Sequence, residues 1–402
     1  MSYRIGIDAL NLRPTPRLAH TEYCSNDALK RAVTGLPDGD PRRERAFADA
    51  WEFDFIWSTH DGPEPWETRG RTTDMGHSEF LEGGVDLRQP QVCPFRSVDE
   101  ALAFDAVAEY GLTDYRQLVA FYNDHYRKQQ AYYSNQVFTG GYYRTLVSGA
   151  IAILGWDMLL EAAAYRDRFT RVLDGIFQQT MHHVRAWADT SIEVYMCHDD
   201  MVWSQGPFMR PDYYRAEIFP RYKALWSVLR EAGKKVVFTS DGEWSMFVGD
   251  IVDAGADALC FEPMTPLEPV VAEYGQTHCL ISSMVDARTL TFGTHEQIRA
   301  EIDATLALAD RCKGLMFAVG NHIPSNVPVD NALFYMEYLR QHWRRAGATG
   351  LRSEHPGPGG AGFGGRGSDG RAVPGGGHQA GVRRATMQRG RRALLILPRT
   401  IG

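Results

Sequence analysis

From Ile192 onward, two patterns of apolar residues alternate along the chain. Short runs that are apolar at nearly every position, "IEVYMC", "KVVFTS", "DALCFE", "HCLISS" and "GLMFAVG", are rich in β-branched and aromatic residues and predict strands. Between them the apolar residues recur every three or four positions, as in Ile218, Tyr222, Leu225, Trp226 and Leu229, or Ile298, Ile302 and Leu306. That spacing predicts helices with one apolar face. One ends at Gly255, another opens with the capping box Thr294 to Gln297, and a last one runs through Tyr335 and Leu339. The first half offers three more strands, "RLAHTE" (17–22), "FDFIWS" (53–58) and "NQVFTGG" (135–141), separated by helical stretches around 97–131 and an irregular segment at 62–95. Strands apolar on both faces, alternating with amphipathic helices, indicate a parallel sheet covered by helices. Eight of them over roughly 330 residues predict the α/β class, as a (β/α)8 TIM barrel.

The pattern stops after "YLRQHWRRAG". From Ala348, Gly supplies 15 of 55 residues and the periodicity is gone, so residues 1–347 read as the barrel domain and 348–402 as a disordered Gly/Arg-rich tail. The net charge of −7 hides an asymmetry: the tail carries nine Arg against one Glu and one Asp, a net +7, which leaves −14 on the first 347 residues. An acidic body argues against nucleic acid as a partner. Six scattered cysteines form no CxxC clamp, which excludes a disulfide framework and a zinc ribbon. The longest mostly apolar run, "LVSGAIAILGW", is too short for a bilayer, and "MSYRIGIDALNLRP" has no signal-peptide core. A cytoplasmic protein without a membrane partner is expected.

A barrel of this kind brings the carboxyl ends of its strands to one face, where side chains remote in sequence converge. Following each predicted strand to its end gives Glu22, Asp61, the Gly140-Gly141 pair, His198 with Asp199 and Asp200, Ser240 with Asp241, Glu262, Asp286, and Asn321 with His322. Asp and Ser also favour caps and turns, so each has a structural reading alone; together they predict a polar mouth. Its carboxylates can orient pyrrole or amine N–H groups, and Arg13 or Arg17 before the first strand could pair with substrate carboxylates. His198 and His322 are the acid/base candidates. His20 and Glu22 share one face of the first strand.

The segments "GPFMRPDYYRAEIFPRYKAL", "VVFTSDG", "DAGADALCFEP", "VDARTLTFGTHEQIRAEI" and "VGNHIPSNVPVDN" resemble, in order and spacing, the uroporphyrinogen decarboxylase superfamily. The resemblance runs from about Asp54 to Asn331 and implies a TIM barrel, an active site at the strands' carboxyl ends, and a homodimer. One branch of that family removes carboxyl groups from tetrapyrrole side arms without a cofactor. For that activity in porphyrin metabolism, the resemblance assigns Asp61 to the pyrrole N–H groups and His198, Asp199 or His322 to proton handling. Arg13, Arg17, Glu22, Tyr142, Ser240, Asp241 and Asn321 would bind the polycarboxylated substrate. The family's "GHG" is here "GNH", which displaces His322 by one residue, and its tyrosine falls on Gly149, leaving Tyr142 and Tyr143 as neighbours.

The other branch is a methyltransferase or demethylase that uses zinc and a corrinoid, commonly with a corrinoid protein as partner. It has His-x-Cys where this chain reads Thr239-Ser240-Asp241, so the thiolate zinc site is missing and no metal is expected. If one is present, the ligands would be drawn from His20, Glu22, His198 and His322, with Asp199. A barrel that binds a tetrapyrrole without chemistry is the third alternative.

Overall fold

Eight parallel strands close on themselves in the computed structural model, which describes residues 2–73, 79–80, 86–87, 92–320 and 322–345. The tail and Asn321 lie outside the described residues. The strands are β1 (Ala19–His20), β2 (Phe55–Ile56), β3 in two pieces (Val137–Phe138 and Gly140–Tyr142), β4 (Val194–His198), β5 (Lys235–Thr239), β6 (Ala258–Cys260), β7 (Cys279–Ile281) and β8 (Gly314–Phe317). From β3 to β8 each pairs with the next, β8 pairs with β1 through Met316 opposite Ala19, and β2 pairs with β3 through Phe55 opposite Val137. The remaining seam, between β1 and β2, is held by the Asp54 amide donating to the His20 carbonyl at 2.8 Å and by Thr21 Oγ1 donating to the Phe55 carbonyl at 2.7 Å. All eight stretches expected to be strands are therefore strands, in a TIM barrel.

The strand period of two sorts side chains into separate cores. Ala19, Phe55, Val137, Val194, Met196, Val237, Ala258, Cys260, Ile281 and Met316 fill the barrel interior. Their neighbours Tyr195, Cys197, Phe238, Leu259, Leu280 and Phe317 point outward and pack under the helices. Two sequence signals hold at the helix ends. Thr294 and Gln297 form the reciprocal capping box of the helix His295–Ala309, and Gly255, at φ 112°, stops the helix Val248–Ala254.

Helix α1 (Ser2–Leu10) carries no strong signal in the sequence, yet it forms the barrel floor. Ile5, Ala9 and Leu10 join the inner core, where burying Ile5 and Leu10 stabilises the fold by roughly 1.5–3 kcal/mol apiece. The approach is close because two glycines allow it: a Cβ on Gly6 would stand 2.3 Å from the Asp54 carbonyl oxygen, and one on Gly314 equally close, at 2.3 Å, to that of Ala9. Among the described residues no helix is long and apolar enough to cross a membrane.

Candidate active site

The alternation that separates the two cores also decides which strand-end groups reach the mouth. Counting inward positions forward gives Phe55 to Trp57, Met196 to His198 to Asp200, Val237 to Thr239 to Asp241, and Cys260 to Glu262. These side chains converge. His198 Nε2 lies 3.2 Å from Asp200 Oδ1, and suitable ligand atoms of His198, Asp200 and Asp241 all lie within 4.8 Å of one another. Tyr143 donates from its hydroxyl to Asp200 Oδ2 at 3.4 Å, and the Asp241 amide donates to Asp200 Oδ1 at 3.3 Å. The Gly242 amide donates to Glu262 Oε2 at 2.7 Å; Gly242 has φ 85°, and a Cβ there would meet the Trp203 carbonyl oxygen at 2.5 Å. Only glycine suits that turn.

Aromatic rings line this cluster. Trp57 stacks beside the His198 ring (centroids 6.1 Å, 18° between planes), and Tyr143 meets its edge at 4.3 Å. Tyr23, half exposed, bridges Trp57 at 5.6 Å and His322 at 5.9 Å, which brings His322 to the same rim. Asp61 completes this side, accepting from the Tyr143 amide at 2.9 Å with Arg144 Nε 3.4 Å away.

The electrostatics follow from burial and neighbours. Burial pushes the Glu262 carboxyl up, with Asp200 and Asp286 adding to the effect. Burial also pushes Asp61 up, against its hydrogen bonds and Arg144. For Asp200 burial acts in the same direction, but His198 and the hydrogen bonds outweigh it and hold this carboxyl below its ordinary range. Tyr143 is driven well above its usual value by burial, then by Asp200 and Asp241.

Outward positions meet a different fate. Asp199 is buried, and its carboxylate accepts from the amides of Leu146, Val147 and Ser148 (3.1, 3.1 and 2.5 Å) and from the Tyr222 hydroxyl (2.6 Å). It caps the helix Val147–Leu154 and pins the end of β4, so it sets the positions of His198 and Asp200 from behind. His20 and Glu22 share a face, as the sequence reading has it, but the outward one. His20 Nδ1 lies 3.0 Å from the Trp51 carbonyl oxygen and Nε2 3.1 Å from Glu22, which also accepts from the Val319 amide and the Tyr335 hydroxyl. Ser240 is buried, with its hydroxyl on the Asp241 carbonyl at 3.1 Å. Tyr142 is fully buried and stacks on His183 at 4.5 Å. Asp286 caps the short helix Ala287–Phe292.

Arg13 and Arg17 stand at the opposite end of the barrel from the mouth. Arg13 pairs with Asp8 of α1 at 3.3 Å. Arg17 pairs with fully buried Asp54 at 2.5 and 2.9 Å and stacks on Trp343 at 4.3 Å, because it precedes β1 and so belongs to the floor. Neither can contact a ligand at the strands' carboxyl ends. The sequence reading did not name Trp57 and listed Asp200 at the end of its strand without a catalytic or binding role; an inward count along β2 and β4 singles out both.

A closed parallel barrel with polar groups converging at its carboxyl face defines the class: a TIM barrel with an enzyme-like mouth. Residues 156–342 match the family model described as Uroporphyrinogen decarboxylase (URO-D). Over that segment the chain is similar to the uroporphyrinogen decarboxylase family, in agreement with its motifs. Among solved structures, a methyltransferase from Methanosarcina mazei superposes with a TM-score of 0.59 at 16% identity, covering 85% of this chain and 98% of that one. A D-psicose 3-epimerase from Clostridium cellulolyticum H10 gives 0.32 at 11% identity, covering 56% and 86%. At 16% identity the methyltransferase is a likeness of fold and does not speak to the reaction. No curated protein matches the sequence.

Proposed function

We propose that this chain is a methyl-transfer enzyme of the superfamily, moving a methyl group between a small neutral or cationic molecule and a corrinoid. The sign of the mouth carries the reading. Asp200, Asp241, Glu262 and Asp286 lie at the ends of four successive strands, β4 to β7, and with Asp61 outnumber the arginines of that rim, Arg144 and Arg288, while Arg13 and Arg17 lie at the floor. A tetrapyrrole bearing carboxylates on every ring would meet like charge there, at a cost of several kcal/mol for close juxtapositions. A cation or neutral methyl donor would not.

In such a transfer the bond from the methyl carbon to its donor breaks, its electron pair stays with the donor, and the acceptor's lone pair makes the new bond. When the acceptor is an X–H group its proton must leave. In this reading His198 would receive that proton, and Asp200, 3.2 Å away, would stabilise the imidazolium. Trp57 and Tyr143 supply apolar walls for the rest of the substrate. The reading implies a corrinoid-bearing partner protein.

Decarboxylation is the second reading, favoured by Asp61 beside Arg144, whose Nη1 is buried with no hydrogen-bond partner among the described groups and would suit a substrate carboxylate. It requires no cofactor. One pair of assays separates the two. Purified protein with methylcobalamin and a panel of small thiols, amines and phenols should change the corrinoid spectrum through loss of the cobalt-bound methyl group, and reduced uroporphyrinogen should keep its carboxyl groups. Carboxyl loss with an unchanged corrinoid would reverse the assignment, and inactivity in both would leave a binding barrel.

A further inference from the structure

The barrel has a second polar concavity, at the end opposite the mouth. A cleft of about 180 Å3 opens where α1 runs out and where β5, β6 and β7 begin; Leu10, Leu12 and Val252 give it an apolar wall, and Arg230, Lys235 and His278 a basic one. We infer that this floor cleft binds a phosphate group, either as the free ion or at the end of a small phosphomonoester.

Charge is the first reason. Lys235 Nζ donates to Asp257 Oδ1 at 2.9 Å, and Asp257 Oδ2 accepts from the Val236 amide at 2.9 Å, so the carboxylate lining the cleft is already taken up. Arg230 has no carboxylate within ion-pair reach among the described residues. One guanidinium is therefore left uncompensated at the cleft, and its planar fork of donors matches the oxygens of a phosphate. His278 adds a further donor. Thr277 Oγ1 lies 2.9 Å from its Nδ1, which leaves Nε2 for the cleft. Burial pushes this imidazole down, against the pull of Asp257; an arriving anion opposes the shift and favours the imidazolium.

The second reason is how the walls are held. The helix Phe219–Glu231 delivers Arg230 beside Gly255, and a Cβ on that glycine would stand 2.8 Å from Arg230 Nη1. The missing side chain lets the guanidinium lie against the backbone. Across the cleft, Leu12 has φ 58°, and only one other non-glycine residue among those described, Glu52, shares that left-handed conformation. It occupies the position after α1 that glycine usually takes, with the Leu12 amide donating to the Ala9 carbonyl and the Arg13 amide to that of Asp8. Strain of this kind persists where the surroundings over-determine it, as they do at ligand clamps.

Volume sets the class of ligand. The cleft is slightly larger than the roughly 150 Å3 that accommodates benzene, and smaller than the roughly 300 Å3 at which pockets for larger ligands begin. A phosphate on a short stem fits; a nucleotide does not. Methyl transfer at the mouth neither requires nor excludes this site.

The test uses full-length protein, titrated in a calorimeter with inorganic phosphate and, separately, with phenyl phosphate, sodium chloride holding the ionic strength constant. Phosphorus NMR linewidths give a second readout. One site per chain, saturating below about 10 mM, is expected. Affinity should fall about tenfold in Arg230→Gln through loss of one charge-assisted contact, should fall also in His278→Gln, and should be unchanged in Asp303→Asn on the exposed face of the helix His295–Ala309. Tighter binding of phenyl phosphate assigns the cleft to a phosphomonoester, and equal or weaker binding to the free ion. Thermal midpoints without ligand check that each variant folds, with Arg230→Ala and His278→Asn replacing any that does not. No saturation by either compound, or saturation that both substitutions leave intact, overturns the site, and neither result bears on the corrinoid assay.

Discussion

Replacing Asp199 by Ala should unfold the chain more readily and also loosen the mouth it never touches. The carboxylate accepts three amides at the start of the helix Val147–Leu154 and the hydroxyl of Tyr222, all buried. Removing it orphans four donors, each worth about 1–3 kcal/mol if water cannot reach it. Against that stands the recovered cost of burying a carboxylate, itself several kcal/mol. The balance is a loss of about 3–5 kcal/mol, larger than the roughly 1 kcal/mol of an exposed cap. At about 2 °C per kcal/mol for a domain of this size, the thermal midpoint should fall by about 6–10 °C. Scanning calorimetry reads the midpoint. A shift under 2 °C would refute the reasoning, because it would mean that water or a rearranged loop satisfies all four donors. Asp199→Asn should also lose stability, since its amide group turns two donors toward the helix amides.

Two further outcomes test the floor and the acidic rim. Arg17→Ala removes the partner of fully buried Asp54 and should cost about 3–5 kcal/mol in denaturant unfolding, without altering the affinity of any ligand bound at the mouth; a selective loss of ligand affinity would return Arg17 to the site. Glu262→Gln should raise stability at pH 7–8 and have less effect near pH 4. Burial raises this carboxyl in the folded chain, so the folded state binds its proton more tightly than the unfolded one, and the penalty builds as pH rises from the unfolded value to the folded one and is complete above it. Urea midpoints measured across that range decide it, and a destabilised variant at neutral pH would count against the raised carboxyl.

The barrel was legible because its strands are apolar on both faces and its helices on one, a contrast that Val236 to Phe238 and Ile298 to Leu306 display without context. The floor was not: "SYRIGIDAL" is too short and too mixed for its periodicity to stand out, and only the gap left by the strand starts makes it a helix worth burying. At the mouth, reading strand ends gave the right neighbourhood but not the direction of each side chain. His198 and Asp199 differ by one position, and a one-residue step turns a side chain from the interior to the helix layer. The inner face carries Ala19, Val194, Val237 and Ala258, the outer face Tyr195, Phe238 and Phe317, so bulk hinted at the parity. Arg13 and Arg17 misled because they precede a strand, and what precedes a strand belongs to the floor.

The pairing of Ala19 with Met316 has a consequence for how the chain is made. During synthesis β1 leaves the ribosome with its partner strand still untranslated, and α1 emerges with an apolar flank and nothing to cover it. Until Gly314–Phe317 arrives, the nascent sheet has two raw edges, so a chaperone that shelters the first strand should matter more to the yield of this protein than to its final stability.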